Sequence, residues 1–400
     1  MTSRPLHAVL LPPGPGGGRL PGLLAAALDG TGPAILPLDP ALPAARLAEL
    51  LAAFWPDAVI TPQGTERGCA PGQGGRAGPG TAPDTAVVIA TSGSTGAPKG
   101  VELTAAALRA SAAASLARVG AGPGERWLCC LPGFHVAGLQ VLVRCLLAGA
   151  EPLVTQRAGP AEIAAAARSG GRVHVSLVPT QLRRLLDDAA PLERLGTILL
   201  GGAAPAAGLL EDAAAAGARV VTTYGMSETC GGCVYDGIPL DGVRARLTGA
   251  GLIQLAGPVL FSRYRPDGGG PGEDGWFTTS DLGALDGRGR LRVRGRADEV
   301  INTGGEKVVP GEVEAVLGAL AGVAEVVVIG MADREWGEVV TAVIVPADPG
   351  APPDLADLRE RVRAELGGAA APRRMRLLDA LPMLASGKPD RRRLRMSVEE

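Results

Sequence analysis

Along the chain, short runs of β-branched and aliphatic residues alternate with longer stretches rich in alanine and leucine. Runs 86–90, 173–178, 197–200 and 220–223 are apolar and bounded by polar residues or glycine, so they predict strands. Residues 45–55, 104–119, 139–147, 161–167, 181–188 and 209–216 carry the helical pattern. Such alternation predicts an α/β fold of layered sheets and helices, the sheets mostly parallel. After about residue 251 the texture changes. Residues 252–256 and 290–294 read as short antiparallel strands; 312–320, 325–329, 339–345 and 355–365 then give helix, strand, strand, helix. That order suits a small α+β domain. The boundary falls in the charged stretch 296–300, giving a large N-terminal domain over 1–297 and a smaller C-terminal domain over 298–400. Segments 12–22, 70–83 and 266–275, dense in glycine and proline, predict exposed loops.

Composition removes some classes of function. With 46% hydrophobic and 20% charged residues the chain can build real cores. Its 39 basic and 41 acidic residues leave a net charge of −2, which argues against a nucleic-acid partner or a polybasic membrane anchor. No stretch approaches the ~18 apolar residues of a membrane span, and residues 1–12 lack the apolar length of a secretory leader. A cytoplasmic protein without stable membrane insertion is expected. The six cysteines, Cys69, Cys129, Cys130, Cys145, Cys230 and Cys233, show no regular disulfide spacing. Cys230 and Cys233 form one C-x-x-C pair without the second pair of a structural zinc site, so they read as part of a pocket-lining loop.

The chemistry is carried by seven short motifs. Thr91, Ser92, Gly93, Ser94, Thr95 and Gly96 precede Lys99 and Gly100, between a predicted strand and a predicted helix. Glycines let the backbone approach an anion, hydroxyls donate to phosphate oxygens, and the lysine neutralises charge. The Walker spacing is absent, which disfavours an ordinary P-loop ATPase. The others are Phe134, His135 and Gly138; Gly201, Gly202 and Ala203 after a strand; Thr223 to Thr229 with Tyr224, Gly225, Ser227 and Glu228; Ser280 and Asp281; Arg296, Asp298, Gly304 and Gly305; and Gly387 with Lys388.

In this order the motifs resemble those of the adenylate-forming superfamily of acyl-CoA synthetases, over about residues 84–393. The resemblance implies a large N-terminal adenylate-forming domain with a small mobile C-terminal lid. It implies ATP, Mg2+ and coenzyme A, with a small carboxylic acid as the activated partner and a homodimer as an open alternative for assembly. In such enzymes the loop at Thr91–Gly100 grips phosphate. Residues matching Gly201, Gly202, Ala203 and Tyr224 flank adenine; Ser227 bonds phosphate and Glu228 holds Mg2+. His135 and Gly225 match acid-pocket positions near the reacting carboxylate. Asp281 matches the ribose ligand, Arg296 a nucleotide contact, Asp298 the interdomain hinge, and Lys388 the lysine that bridges carboxylate and α-phosphate during adenylation. Gly304 and Gly305 fall where relatives switch loops toward the thioester-forming site.

Residues 223–242 and 134–144 look like the actinobacterial o-succinylbenzoate–CoA ligases of menaquinone biosynthesis. That acid carries a second carboxylate, and Arg144 with Gln140 one helical turn earlier are candidates to hold it. The chain ends twelve residues after Lys388, without a carrier domain, so free coenzyme A is the expected acceptor. The phosphate loop begins early, at residue 91, implying a shortened N-terminal subdomain. The alternatives are another aryl- or acyl-CoA ligase, or a nucleotide-binding regulator that has lost the chemistry.

Overall fold

The computed structural model describes residues 3–14, 18–67, 80–92, 97–156, 158–266, 268–383 and 389–399. The chain divides into two compact units. The first comprises residues 1–202, 213–244 and 255–277; the second comprises 203–212, 245–254 and 278–400.

Two seven-stranded sheets build the first unit. One runs in the order Arg263–Arg265, Pro98–Thr104, Thr85–Ser92, Ala34–Pro37, Leu6–Val9, Ala58–Thr61, Gly64–Arg67. The other runs Ile238–Pro239, Gly231–Tyr235, Val220–Met226, Ile198–Leu200, Val173–Leu177, Arg126–Cys129, Leu153–Val154. The first is parallel at the centre with antiparallel pairing at both ends, and the second is parallel from Val220–Met226 to its Leu153–Val154 edge and antiparallel only at the other end. The expectation of a mostly parallel sheet therefore describes the second sheet, and the middle of the first. The central strands are apolar on both faces, as a covered parallel sheet requires: Leu6, Ala8, Ala34 and Leu36 pack with Phe54 and Val88 on one side.

Three features differ from the sequence reading. The helix at Thr104 does not follow the phosphate loop directly. Strand Pro98–Thr104 intervenes, antiparallel to Thr85–Ser92. Helix Ala105–Val119 then starts with the Thr104 hydroxyl accepting from the Ala107 amide at 3.0 Å. Within the proline-rich segment 12–22, helix Leu20–Asp29 already begins, with Pro21 in its first turn where no amide hydrogen is needed. In segment 70–83, Thr81 is buried and bridges Arg4, while residues 70–79 lie outside the described residues.

In the second unit, strands Ile301–Thr303, Glu306–Val308, Val323–Asp333, Gly337–Pro346 and Arg374–Leu377 form a five-stranded sheet. Its two faces use alternate residues of one apolar run. Val328 faces helices Pro310–Gly318 and Leu355–Leu366 in one core. Val327, Ile329 and Met331 face Leu394 of helix Arg391–Glu399 in the other. Gly304 and Gly305, both at positive φ (58° and 84°), make the tight turn between the first two strands. A four-stranded sheet of Arg244–Leu247, Leu252–Ala256, Trp276–Leu285 and Leu291–Arg296 belongs to this unit for most of its length.

Candidate active site

Where strands Thr85–Ser92 and Pro98–Thr104 pair, Thr91 stands opposite Lys99, and its hydroxyl donates to the Lys99 carbonyl at 3.1 Å. Side chains two apart on a strand share a face, so Lys99 shares a face with Val101, and Val101 faces Tyr264 across the edge pairing. The Lys99 ammonium accordingly lies 3.3 Å from the centre of the Tyr264 ring, within cation–π range. The Tyr264 hydroxyl donates to Glu228 Oε1 at 2.9 Å. Burial pushes the Tyr264 hydroxyl well above its ordinary pKa, and the Glu228 charge adds to that, so it remains a donor at neutral pH. The Glu228 carbonyl accepts from the Phe261 amide at 2.8 Å, and the Phe261 ring packs on Tyr264 and Phe277.

On the opposite face of the same three-residue strand, Arg263 and Arg265 both donate from Nε to Glu102, each at 3.0 Å. Glu102 is fully buried and also accepts from the Thr85 hydroxyl at 3.1 Å. Arg265 further donates to the carbonyls of Phe54 and Gly80. This clamp fixes the strand so that Tyr264 can only point the other way, toward Lys99 and Glu228.

The second sheet brings in Tyr224, Gly225, Ser227 and Glu228 at the end of strand Val220–Met226 and in the short 3-10 turn Ser227–Thr229. The Thr229 hydroxyl accepts from the Met226 amide and donates to the Gly231 carbonyl, which fixes this turn. Gly225 is there because of packing: a Cβ would come 2.0 Å from the Gly231 carbonyl oxygen. Gly201 is comparable, since its Cβ would meet the Thr223 hydroxyl at 2.3 Å. Gly202 takes φ +87°, left-handed backbone that favours glycine.

His135 precedes helix Val136–Ala148 as its N-cap residue and sets its ring edge-on to Phe134, centroids 4.8 Å apart. Gly138 lets this helix start close to the preceding loop, because a Cβ would lie 2.2 Å from the Pro132 carbonyl oxygen. Gln140 and Arg144 follow on one buried face, 2% and 5% exposed. Gln140 Nε2 donates to the Leu108 carbonyl at 3.4 Å, while its Oε1 is buried without a hydrogen-bond partner. The Arg144 guanidinium lies 4.2 Å from the Trp127 ring centre and donates to the Ser176 hydroxyl at 2.9 Å; its Nε has no acceptor. Burial lowers its pKa, and no carboxylate of the described residues forms an ion pair with it.

The second unit holds Asp281, Arg296 and Asp298. Asp281 and Arg296 are cross-strand partners, 3.6 Å apart at their charged atoms. Arg296 also grips Asp298 with two parallel hydrogen bonds, 2.8 and 2.7 Å. That fork raises the guanidinium pKa and lowers that of the Asp298 carboxyl. Ala203 opens the segment of this unit that runs from 203 to 212. Gly93, Ser94, Thr95, Gly96 and Lys388 lie outside the described residues, and Ser92 is described only as the end of its strand.

Sequence reasoning missed Tyr264 and Glu102. The only local signal is the alternation Arg263, Tyr264, Arg265, which is too short to mark a strand by itself. A magnesium ion fits Glu228: one carboxylate, steadied through one oxygen, suits an ion that takes its other ligands from phosphate and water. Among the described residues no group of three or more His, Cys, Asp or Glu side chains could hold a metal alone.

Comparison with known proteins identifies the family of the chain. The family profile described as AMP-binding enzyme matches residues 65–256, and the AMP-binding enzyme C-terminal domain matches 312–388. A probable 2-succinylbenzoate–CoA ligase of Mycobacterium tuberculosis strain H37Rv is 48% identical over 320 residues, covering 77% of this chain and 83% of that one. The 2-succinylbenzoate–CoA ligase of Bacillus subtilis strain 168 is 33% identical over 336 residues, 78% of this chain and 68% of that one. Among solved structures, the o-succinylbenzoate CoA synthetase from Bacillus subtilis in complex with the acyl-adenylate intermediate superimposes with a TM-score of 0.82 at 26% identity, covering 100% of this chain and 89% of the other. ATP-bound MatB from Rhodopseudomonas palustris gives 0.84 at 26% identity, covering 100% and 90%.

Proposed function

The chain belongs to the AMP-binding enzyme family, and on that premise we propose that it is a 2-succinylbenzoate–CoA ligase of menaquinone biosynthesis. It uses ATP, Mg2+ and coenzyme A. In the first half-reaction a carboxylate oxygen of the acid attacks the α-phosphorus of ATP, and pyrophosphate leaves. In the second the thiol of coenzyme A attacks the acyl carbon, and AMP leaves.

The observation that carries the substrate assignment is Arg144. A guanidinium 5% exposed, with an aromatic ring and one hydroxyl as partners, has given up its hydration without gaining an anion. The aromatic acid's second carboxylate supplies that anion; Gln140, one turn earlier, can meet it only through an Nε2 hydrogen, since its unpartnered Oε1 is itself an acceptor. His135, at the start of the same helix, and Gly225 then line the end where the reacting carboxylate lies.

Lys99 and the hydroxyls of the loop, Thr91 among them, neutralise and orient the phosphates, Ser227 bonds phosphate, and Glu228, at the Tyr264 hydroxyl, holds the metal. Magnesium, when bound, offsets the charge that builds on the phosphate oxygens. Gly201, Gly202, Ala203 and Tyr224 are assigned to adenine, Asp281 to ribose and Arg296 to the nucleotide. Lys388 serves adenylation only, and Asp298, the hinge between domains 1–297 and 298–400, carries it away before thioester formation. The balanced charge supports small-molecule partners rather than nucleic acid. No helix of the described residues is long and apolar enough to cross a membrane; a cytoplasmic location is part of this proposal, and sedimentation would test a homodimer.

The test is pyrophosphate release with o-succinylbenzoate, benzoate and a medium-chain fatty acid, each with coenzyme A. Preference for o-succinylbenzoate by at least tenfold in kcat/KM is expected. A preference for either monocarboxylate would overturn the assignment.

A further inference from the structure

We infer that Tyr264 is a positioning residue for MgATP, holding Glu228 by its hydroxyl and Lys99 by its ring. The inference rests on the adenylation reading above and adds a residue to it. Three observations meet at this side chain. Its hydroxyl is 2.9 Å from Glu228 Oε1, its ring centre is 3.3 Å from the Lys99 ammonium, and its backbone is fixed by the Glu102 clamp behind it.

The arrangement has a physical purpose. Lys99 and Glu228 carry opposite charges and would collapse onto each other in an open cleft, each cancelling what the other offers to a ligand. Tyr264 gives each a separate partner: the π face takes the cation and the hydroxyl proton takes the carboxylate. Glu228 keeps its second oxygen for a metal, and its orientation is set before the ligand arrives. Pre-set orientation of this kind spares the site the reorganisation that binding would otherwise require.

Two variants separate the two contacts. Tyr264→Phe keeps the ring, and so the Lys99 contact, but deletes the bond to Glu228. Tyr264→Leu deletes both. ATP binding to the full-length protein is measured by isothermal titration calorimetry, once with magnesium and once in EDTA, with melting temperature recorded for each variant. For Tyr264→Phe, affinity should fall about tenfold with magnesium, the range of a hydrogen bond to a charged group, and by less than twofold in EDTA. For Tyr264→Leu, affinity should fall in both conditions, because Lys99 meets phosphate with or without metal.

Unchanged magnesium-dependent affinity in Tyr264→Phe would overturn the inference, and so would an equal loss in EDTA. A lower melting temperature with both affinities intact would make Tyr264 a packing residue only. Failure of the wild-type protein to release pyrophosphate with any acid would sink the proposed function instead, leaving the binding comparison readable.

Discussion

Glu102 is a buried charge whose removal can be costed from its surroundings. Its side chain is 1% exposed and binds two arginines, Arg265 at 9% side-chain exposure and Arg263 at 46%. Glu102→Gln preserves size but removes the charge and turns an NH2 group toward two guanidinium groups. The Arg263 pair is half in water and contributes under about 1 kcal/mol. Arg265 is different, because it stays buried with only the Phe54 and Gly80 carbonyls as acceptors. Breaking a buried pair from one side costs about 3–5 kcal/mol, a large share of the roughly 5–15 kcal/mol that holds a domain together. For a unit of this size that is a fall of roughly 6–20 °C in melting temperature. Urea unfolding followed by tryptophan fluorescence reads it, since Trp127 is fully buried in the same unit. Adding Arg265→Met should recover part of the loss by removing the stranded charge, whereas Arg263→Ala alone should cost under about 1 kcal/mol. A Glu102→Gln loss below about 1 kcal/mol, or no recovery in the double variant, would refute the account of the clamp.

Arg144→Met should raise the KM for o-succinylbenzoate at least tenfold without lowering the melting temperature, because an apolar side chain of similar volume replaces a desolvated charge; a lower melting temperature with unchanged KM would make Arg144 structural. Gly225→Ala should destabilise by about 1–3 kcal/mol, since its Cβ would strike the Gly231 carbonyl, while Gly122→Ala, with open space around it, should be neutral or slightly stabilising in the same melting assay. Burial pushes Cys129 and Cys130 up to about 12 and Cys145 to about 11, leaving on the order of one Cys129 or Cys130 thiolate in ten thousand at pH 8. In a Cys69→Ser background, colorimetric thiol titration at pH 8 should therefore find these groups silent until denaturant is added. The same shifts act on stability. The folded state keeps protons that the unfolded chain releases, so these thiols favour folding fully below about pH 9 and progressively less as pH rises toward 12, by about 1.4 kcal/mol per thiol per pH unit; a melting temperature constant from pH 8 to 11 would contradict the burial argument.

The long helices and the central strands are legible because periodicity is a local property. Helix Ala105–Val119 and strand Val173–Leu177 lie within a residue of their expected positions. Strand Pro98–Thr104 is not legible, because Glu102 and Gly100 interrupt the apolar alternation. Glu102 is buried only because arginines 161 and 163 residues later arrive to pair with it, and no window along the chain contains that fact. The four-residue strands of the N-terminal sheet fail for want of length. For the candidate site the motifs show which residue types are present, and the helical spacing of Gln140 and Arg144 correctly puts them on one face. Tyr264 stays hidden because its link to Lys99 is a diagonal across two strands and its link to Glu228 runs between sheets. Its own side chain looks like any tyrosine on a short edge.

Two buried charges of the first unit, Glu102 and Arg144, are handled in opposite ways, and the contrast is informative. Glu102 is fully matched, with two guanidinium donors and a hydroxyl, so its geometry is complete without any ligand. Arg144 is matched on one face by Trp127 and at one nitrogen by Ser176, with Nε left over. A cation–π contact offsets part of a desolvation cost but supplies no hydrogen-bond acceptor. Were Arg144 a packing residue, a methionine or leucine there would fold as well or better, and the charge would be a standing cost. The cost has a use if the missing acceptor is brought by the substrate. A buried guanidinium left without an anion strongly favours a dianionic acid over a benzoate or fatty acid of similar size, because only the second carboxylate recovers the lost hydration. Selectivity of that kind comes from the empty protein being incomplete, which Glu102 is not and Arg144 is.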